Sequence, residues 1–256
     1  MLEQQGLFVG LIPDGNRRWA IGQYGVAKKE DLTPAQLYEA YWRGTEAVKG
    51  VVRRAREESV GIFAAWGGSN DNLRKRSDRE LQILYSIYER FMTELRDEWM
   101  DAEGYRDTRF VHMGHRERMQ TYASQVLRII DDVAEHTRTR TGMVVAVCLD
   151  YDSCDELRVV ARQRWREAGL VGEEEEYLDL PYAGVPYQSL DYGIRTGEVT
   201  PEGEEGRVKH TNAFLLGYHN KETRWRYRKE FLPDYTPDMF SQDLGLYKRG
   251  EKREGE

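Results

Sequence analysis

The chain has 256 residues, of which 39% are hydrophobic and 32% are charged; this composition excludes a disordered protein and predicts one large domain with its own core. The net charge of −7 argues against a general nucleic-acid binder, but it leaves room for a local basic pocket that binds a phosphorylated small molecule. Two cysteines exclude a disulfide framework, and we find neither a signal peptide nor an apolar stretch of about 20 residues, so we expect a soluble, cytoplasmic protein without a membrane span.

Short apolar runs that end in turn residues alternate with helical patterns along the chain. The predicted strands are Leu7–Ile12, Gly61–Trp66, Arg109–Met113, Gly142–Leu149 and Asp191–Arg195. The predicted helices are Pro34–Glu57, Asp78–Met100, a segment that runs through Ile130, and Ser153–Ala168. We also interpret Arg224, Arg226 and Arg228 as a solvated helix face.

This alternation predicts an α/β fold: a single domain with a central, mainly parallel sheet of about six strands flanked by helices. We place the domain at residues 1–247 and a loose, charged tail at residues 248–256. In parallel sheets, ligands bind beyond the carboxyl ends of the strands. The segments that follow Ile12, Trp66, Leu149 and Ile194 are therefore the candidate ligand-binding segments.

The segment after the first strand concentrates groups that suit a diphosphate. Arg17 and Arg18 offer guanidinium groups that pair with phosphate oxygens, Asn16 offers an amide, and Gly15 lets the backbone approach a ligand closely. Asp14 would repel a bare diphosphate, so its presence suggests a bridging Mg²⁺ ion. On the residues alone, an exposed turn with a charged helix start explains the segment equally well.

A family resemblance favours the first interpretation. The run from Ile12 to Ala20 resembles the signature of the cis-prenyltransferases, the undecaprenyl diphosphate synthase-like family. Other segments resemble family motifs in the family's order, from about residue 7 to residue 240. They are Phe63–Asn72 with Glu80-Leu81, Met113–His115, Tyr151–Leu157, Ile194–Glu198, Phe214–Leu216 and Leu232–Tyr235.

The resemblance implies a role for each matching residue of the donor site. Asp14 would bind Mg²⁺ and help the allylic diphosphate to leave, and Glu222 is the candidate second metal ligand. The allylic diphosphate would be held by Gly15, Asn16, Arg17 and Arg18.

The same resemblance implies a second site for the acceptor diphosphate. Arg195 would bind that diphosphate, with Arg207 as its partner and Thr211 in place of a family serine. Asn72 would help to position the acceptor for proton loss. The family's Gly-His-x-x-Gly motif appears here as residues 40–44, where Tyr41 replaces the histidine.

These features predict a Mg²⁺-dependent prenyltransferase, a homodimer, that condenses a dimethylallyl, geranyl or farnesyl diphosphate with a second isoprenoid diphosphate. The departures from the family pattern leave the acceptor open between isopentenyl diphosphate and a second allylic diphosphate. They favour a divergent, short-chain enzyme of specialised metabolism, similar to relatives that form branched, lavandulyl-type products. The alternatives are a non-catalytic accessory subunit of a cis-prenyltransferase complex, which the retained Asp14 disfavours, and another enzyme with a phosphorylated ligand.

Overall fold

A computed structural model describes residues 6–157, 185, 188–198, 211 and 214–254. Six strands form one sheet in the order β3-β4-β2-β1-β5-β6, and every pair of neighbours is parallel. The strands are β1 (Leu7–Ile12), β2 (Val60–Gly68), β3 (Arg109–Met113), β4 (Val144–Leu149), β5 (Tyr192–Arg195) and β6 (Arg224–Tyr227). This arrangement confirms the predicted α/β fold and its parallel sheet.

Both faces of the sheet are buried, which explains why the central strands are almost continuously apolar. Side chains alternate between the faces: Val9 and Leu11 of β1 join one core cluster, whereas Phe8 and Ile12 join the other. The first cluster is covered by helices. Among the described residues, the helices are, in chain order, α1 (Asn16–Tyr24), α2 (Pro34–Glu57), α3 (Asn70–Arg74), α4 (Asp78–Glu94), α5 (Arg116–Tyr122), α6 (Ser124–Thr137) and α7 (Pro237–Glu254).

Local caps set the beginning of the two helices that matter most for the site. Thr33 and Gln36 form a capping box at the start of α2, and Pro34 occupies its first turn. Ser77 caps α4 by accepting a hydrogen bond from the Glu80 backbone N–H at 3.3 Å. These caps fix the residues at which α2 and α4 begin.

Several predicted boundaries differ from the structure. The helix predicted to end at Met100 ends at Glu94 and continues as a wider turn over Leu95–Trp99. The helix predicted through Ile130 is two helices, because Ala123 leaves the helical region at φ −140°. Residues 153–157 are helical, while the remainder of the predicted Ser153–Ala168 helix lies outside the described residues. The predicted tail boundary falls inside α7, whose backbone stays helical to Glu254.

The arginine-rich segment near the end of the chain is a strand, so its interpretation as a solvated helix face was wrong. Arg224–Tyr227 forms the edge strand β6 beside β5. Asp243 of α7 is fully buried and forms salt bridges with Arg226 at 3.2 Å and Arg228 at 2.8 Å. This contact explains how an arginine-rich strand is tolerated against the helical layer, since buried charges require partners.

Candidate active site

The turn after β1 carries the signature residues to the carboxyl edge of the sheet. Gly15 has φ 109°, and a Cβ atom there would lie 2.6 Å from Cδ1 of Phe231 and 3.1 Å from its Cα. Only glycine fits this left-handed, crowded position. α1 begins at the next residue and has no acidic side chain in its first turn, so its free N–H groups favour an anion.

Asp14 connects the ends of two neighbouring strands. Its Oδ1 lies 3.0 Å from Arg18 Nη2, and its Oδ2 accepts a hydrogen bond from Arg195 Nη2 at 2.9 Å. The Asp14 backbone N–H donates to Thr196 Oγ1 at 2.9 Å. β1 and β5 are adjacent, with Ile12 opposite Arg195, and this pairing brings together residues that are far apart in the sequence.

A basic pocket of about 410 Å³ opens beside this carboxylate. Arg17 and Arg18 have side chains that are 39% and 43% exposed, so both remain accessible to a ligand. The pocket also includes three cations that sequence reasoning missed, namely Lys28, Lys29 and Arg76. The adjacent lysines in the short connection between α1 and α2 were the available signal for two of them.

A buried polar cluster forms the inner wall of the basic pocket. Arg76 and the Tyr41 hydroxyl each donate to Glu80 Oε1, both at 2.6 Å, and Arg76 also donates to the Tyr41 oxygen. Arg17 Nη1 lies 3.4 Å from the same Glu80 oxygen. Burial raises the pKa of Tyr41 well above its usual range, so the hydroxyl stays protonated at neutral pH and remains a donor. Glu80 thus holds Arg76 and Tyr41 in one geometry.

An apolar cavity of about 130 Å³ continues inward from this cluster, between α2, α4 and the sheet. Asn16, Tyr41 and Arg76 line both the cavity and the basic pocket, so the two spaces meet at these residues. Asn16 Oδ1 is buried there without a hydrogen-bond partner, which leaves an unused polar group at the junction. The apolar walls include Val48, Ala65, Leu84, Ile87, Tyr88 and Phe91.

Comparison with known proteins identifies the family of this chain. A family profile described as putative undecaprenyl diphosphate synthase matches residues 12–255. The chain belongs to this family. It is therefore a prenyltransferase, an enzyme of isoprenoid biosynthesis that condenses isoprenoid diphosphates.

Relatives agree with this assignment, and a solved structure shares the fold. The enzyme is 26% identical over 252 residues to an isoprenyl transferase of Geobacillus kaustophilus, covering 96% of this chain and 87% of the relative. It is 28% identical over 254 residues to a geranylgeranyl-diphosphate-specific tritrans,polycis-undecaprenyl-diphosphate synthase of Pyrobaculum aerophilum, covering 96% and 94% of the two chains. Its fold resembles that of lavandulyl diphosphate synthase from Lavandula x intermedia in complex with dimethylallyl diphosphate, with TM-score 0.73, 19% identity and 95% coverage of both chains.

Asn72 lies apart from Asp14, in another pocket of this enzyme. It belongs to α3, is exposed, and its backbone N–H donates to the Ser69 hydroxyl at 3.2 Å. The pocket that it lines has a volume of about 280 Å³ and lies beyond the ends of β2 and β4. Its aromatic wall contains Trp66 and Phe214, whose rings stack at 5.6 Å.

Glu222 is not brought to the predicted metal site. It is exposed in the turn that precedes β6, where its backbone N–H donates to Asn220 Oδ1 at 2.8 Å. Because β6 runs parallel to β5, the amino end of β6 lies at the edge of the sheet opposite Asp14. Glu198 instead reaches one of the Asp14 contacts, since its Oε2 lies 3.2 Å from Arg195 Nε.

The two remaining residues of the predicted acceptor site are placed only in part. Thr211 is half-buried, and its carbonyl oxygen accepts a hydrogen bond from the Phe214 backbone N–H at 3.0 Å. Arg207 lies outside the described residues.

The described acidic side chains suit a metal that arrives with its substrate. Within the described part of the chain, no three His, Cys, Asp or Glu side chains converge on one point. A lone carboxylate such as Asp14 nevertheless fits Mg²⁺, which proteins often hold through one or two carboxylates together with substrate phosphates.

None of the described helices is long and apolar enough to cross a bilayer.

Proposed function

We propose that the enzyme transfers the prenyl group of an allylic diphosphate bound at Asp14 to a second isoprenoid diphosphate bound at Arg195, with Mg²⁺ as cofactor. The observation that carries this proposal is the position of Asp14 between Arg18 and Arg195, where β1 and β5 end side by side. The donor diphosphate would occupy the basic pocket, and its hydrocarbon tail would enter the apolar cavity.

The proposed reaction breaks one bond and forms another. The allylic C–O bond breaks, its electron pair leaves with the diphosphate, and the acceptor alkene attacks the allylic carbon to form a new C–C bond. The acceptor then loses a proton, for which Asn72 is the proposed positioning residue. Mg²⁺, when bound, neutralises charge on the leaving diphosphate.

The protein's own residues would perform the remaining tasks. Gly15 and Asn16 would present the start of α1 to the donor diphosphate, while Arg17 and Arg18 would pair with its oxygens. The apolar walls of the cavity would keep water away from the allylic cation. On the acceptor side, Arg195 would bind the diphosphate, and Arg207 and Thr211 remain proposed contributors. Glu222 is too remote in the sheet to serve with Asp14, and Glu198 is the better candidate for a second acidic residue.

The length of the product, the identity of the acceptor and the metabolic role of the enzyme are also proposals. We propose a short-chain product and a role in specialised metabolism, with either isopentenyl diphosphate or a second allylic diphosphate as acceptor. The support is the loss of several family motif residues and the small volume of the apolar cavity. A homodimer and a cytoplasmic location stay predictions from the sequence.

The activity is tested directly with purified protein. In the presence of Mg²⁺ and a mixture of dimethylallyl, geranyl and isopentenyl diphosphates, we expect release of pyrophosphate and a prenylated product. Mass spectrometry and NMR would distinguish a linear from a branched product, and a sample with EDTA provides the metal-free control. Absence of pyrophosphate release with every donor and acceptor pair would support the accessory-subunit alternative instead.

The buried cluster gives a second test. Tyr41→Phe removes the hydroxyl that contacts Arg76 and Glu80, and we expect it to lower kcat/KM for the allylic donor about tenfold, because hydrogen bonds to charged groups are worth about 1.5–3 kcal/mol. Tyr38→Phe on the same helix is the matched control, since the Tyr38 hydroxyl accepts a hydrogen bond from Arg90 at 3.3 Å on the exposed surface. Unchanged donor kinetics in Tyr41→Phe would remove the cluster from donor binding.

A further inference from the structure

Residues 228–232, which follow β6 directly, run beside the proposed acceptor site, and we call them the bracing segment. The Arg228 backbone N–H donates to the Arg195 carbonyl oxygen at 2.8 Å, and the Arg228 carbonyl oxygen accepts a hydrogen bond from the Glu198 backbone N–H at 2.8 Å. Arg195 and Glu198 are the two members of an ion pair. The bracing segment therefore holds the main chain at both members of this pair.

The bracing segment also contacts the proposed donor site. The Leu232 backbone N–H donates to the Asp14 carbonyl oxygen at 3.0 Å. Phe231 lies against Gly15, and the guanidinium carbon of Arg18 is 5.4 Å from the centroid of the Phe231 ring, within reach of a cation–π contact. A displacement of this segment would therefore disturb the donor and acceptor residues together.

A buried carboxylate anchors the bracing segment. Asp243 of α7 is fully buried, and its Oδ2 accepts hydrogen bonds from Arg228 Nε at 2.8 Å and from the Tyr235 hydroxyl at 2.9 Å. Its Oδ1 lies 2.8 Å from Arg228 Nη2. Two parallel contacts between one carboxylate and one guanidinium group fix direction as well as distance. Arg228 is therefore held in one orientation at the start of the bracing segment.

The helix that carries this carboxylate is itself fixed to the core. Phe240 and Leu244 of α7 are fully buried, and the Phe240 ring meets the ring of Phe63 in β2 edge-on at 6.1 Å. Contacts thus run without a break from the packed core, through Asp243, to the bracing segment. A buried ion pair adds little net stability compared with apolar side chains of similar volume, and its best-attested use is to specify one geometry.

We propose that Asp243 is a positioning residue for prenyl transfer, because through Arg228 it fixes the bracing segment. The segment in turn sets where the Asp14 and Arg195 main chains lie relative to each other. This inference rests on the proposed function, which assigns the donor diphosphate to Asp14 and the acceptor diphosphate to Arg195.

Asp243→Asn tests the inference, because it keeps the shape of the side chain and removes its charge. We expect kcat/KM for the acceptor to fall about 10–100-fold, since a misplacement of about 1 Å at a reacting centre can cost about 100-fold. The KM of the donor should change less, because Arg17 and Arg18 remain in the basic pocket. Pyrophosphate release is measured with each substrate varied in turn, at a temperature where circular dichroism shows the variant to be folded.

Two further variants separate positioning from stability. Leu244→Val removes volume from the next residue of α7 without touching the ion pair, so it should lower the thermal unfolding midpoint and leave the kinetic constants unchanged. The double variant Asp243→Leu with Arg228→Met replaces the pair by apolar side chains. It should unfold near the wild-type midpoint while its kcat/KM for the acceptor stays low, and it serves if Asp243→Asn does not fold.

The outcomes distinguish this inference from the proposed function. Recovery of wild-type acceptor kinetics in the double variant would show that the pair only stabilises the fold, and would overturn the inference. Wild-type acceptor kinetics in Asp243→Asn would overturn it equally, while a raised acceptor KM in Arg195→Glu would leave the proposed function standing. Wild-type acceptor kinetics in both Asp243→Asn and Arg195→Glu would contradict the proposed acceptor site as well.

Discussion

Asp14→Ala is expected to lower turnover about 1000-fold while leaving the fold intact, a loss comparable to removal of a main charge-stabilising group from an active site. The Asp14 carboxylate is the proposed contact for Mg²⁺, and without it the leaving diphosphate loses its neutralising ion. The side chain is 37% exposed, so its removal should change the thermal unfolding midpoint little. Steady-state pyrophosphate release and circular dichroism melting measure the two quantities.

The same substitution should have the opposite effect on metal-free binding. Asp14 is in ion-pair contact with Arg18 and Arg195, so its removal takes a competing carboxylate away from both guanidinium groups and removes a negative charge from the anion pocket. Inorganic diphosphate without Mg²⁺ should therefore bind about tenfold more tightly to Asp14→Ala or Asp14→Asn than to the wild type. Asp238→Ala, at an exposed position on α7, is the control. Wild-type turnover in Asp14→Ala would remove this residue from the mechanism.

Arg195→Glu is expected to raise the KM of the acceptor about 100-fold, because loss of a largely buried charged contact costs about 2–5 kcal/mol. The Arg195 side chain is only 13% exposed and lies between Asp14 and Glu198. The substitution places a carboxylate beside those of Asp14 and Glu198, and the added negative charge repels the acceptor diphosphate. The KM of the donor should rise less, since Arg17 and Arg18 remain in the basic pocket.

Two variants make this result interpretable. Arg195→Lys keeps the charge but loses the forked geometry, so it should fall between the wild type and Arg195→Glu. Arg138→Glu reverses a charge on a side chain that is 66% exposed after α6, away from the proposed site, and should leave both KM values unchanged. Equal increases in the two KM values of Arg195→Glu would contradict the division into donor and acceptor sites.

Much of the fold follows from local sequence patterns, and the exception is instructive. Strands β1 and β4 are recognisable because both of their faces are buried, which requires nearly continuous apolar runs. β6 escaped prediction because arginine alternates with aromatic residues in it. The charge of Arg226 is neutralised by Asp243, a residue of α7 that is distant in the sequence. No local window contains that partner.

The residues of the candidate site were likewise predictable from the sequence only in part. The segment from Asp14 to Arg18 is contiguous, so its groups are visible together in the sequence. Arg76 approaches Tyr41 only because α4 packs against α2, and no spacing rule reveals that contact. The placement of Glu222 depends on the direction of β6, and a missed strand leaves that direction unknown.

The Thr196 hydroxyl bonds to both backbone groups of Asp14. It accepts a hydrogen bond from the Asp14 N–H at 2.9 Å and donates one to the Asp14 carbonyl oxygen at 2.8 Å. The proposed donor and acceptor segments thus emerge from strands about 4.8 Å apart, which is the ordinary spacing within a sheet. Their separation is a property of the rigid scaffold rather than of a hinge. The two proposed binding segments therefore lie at a fixed distance that suits inhibitors in which two anionic groups are tethered. Once one group of such a molecule is bound, binding of the second becomes intramolecular.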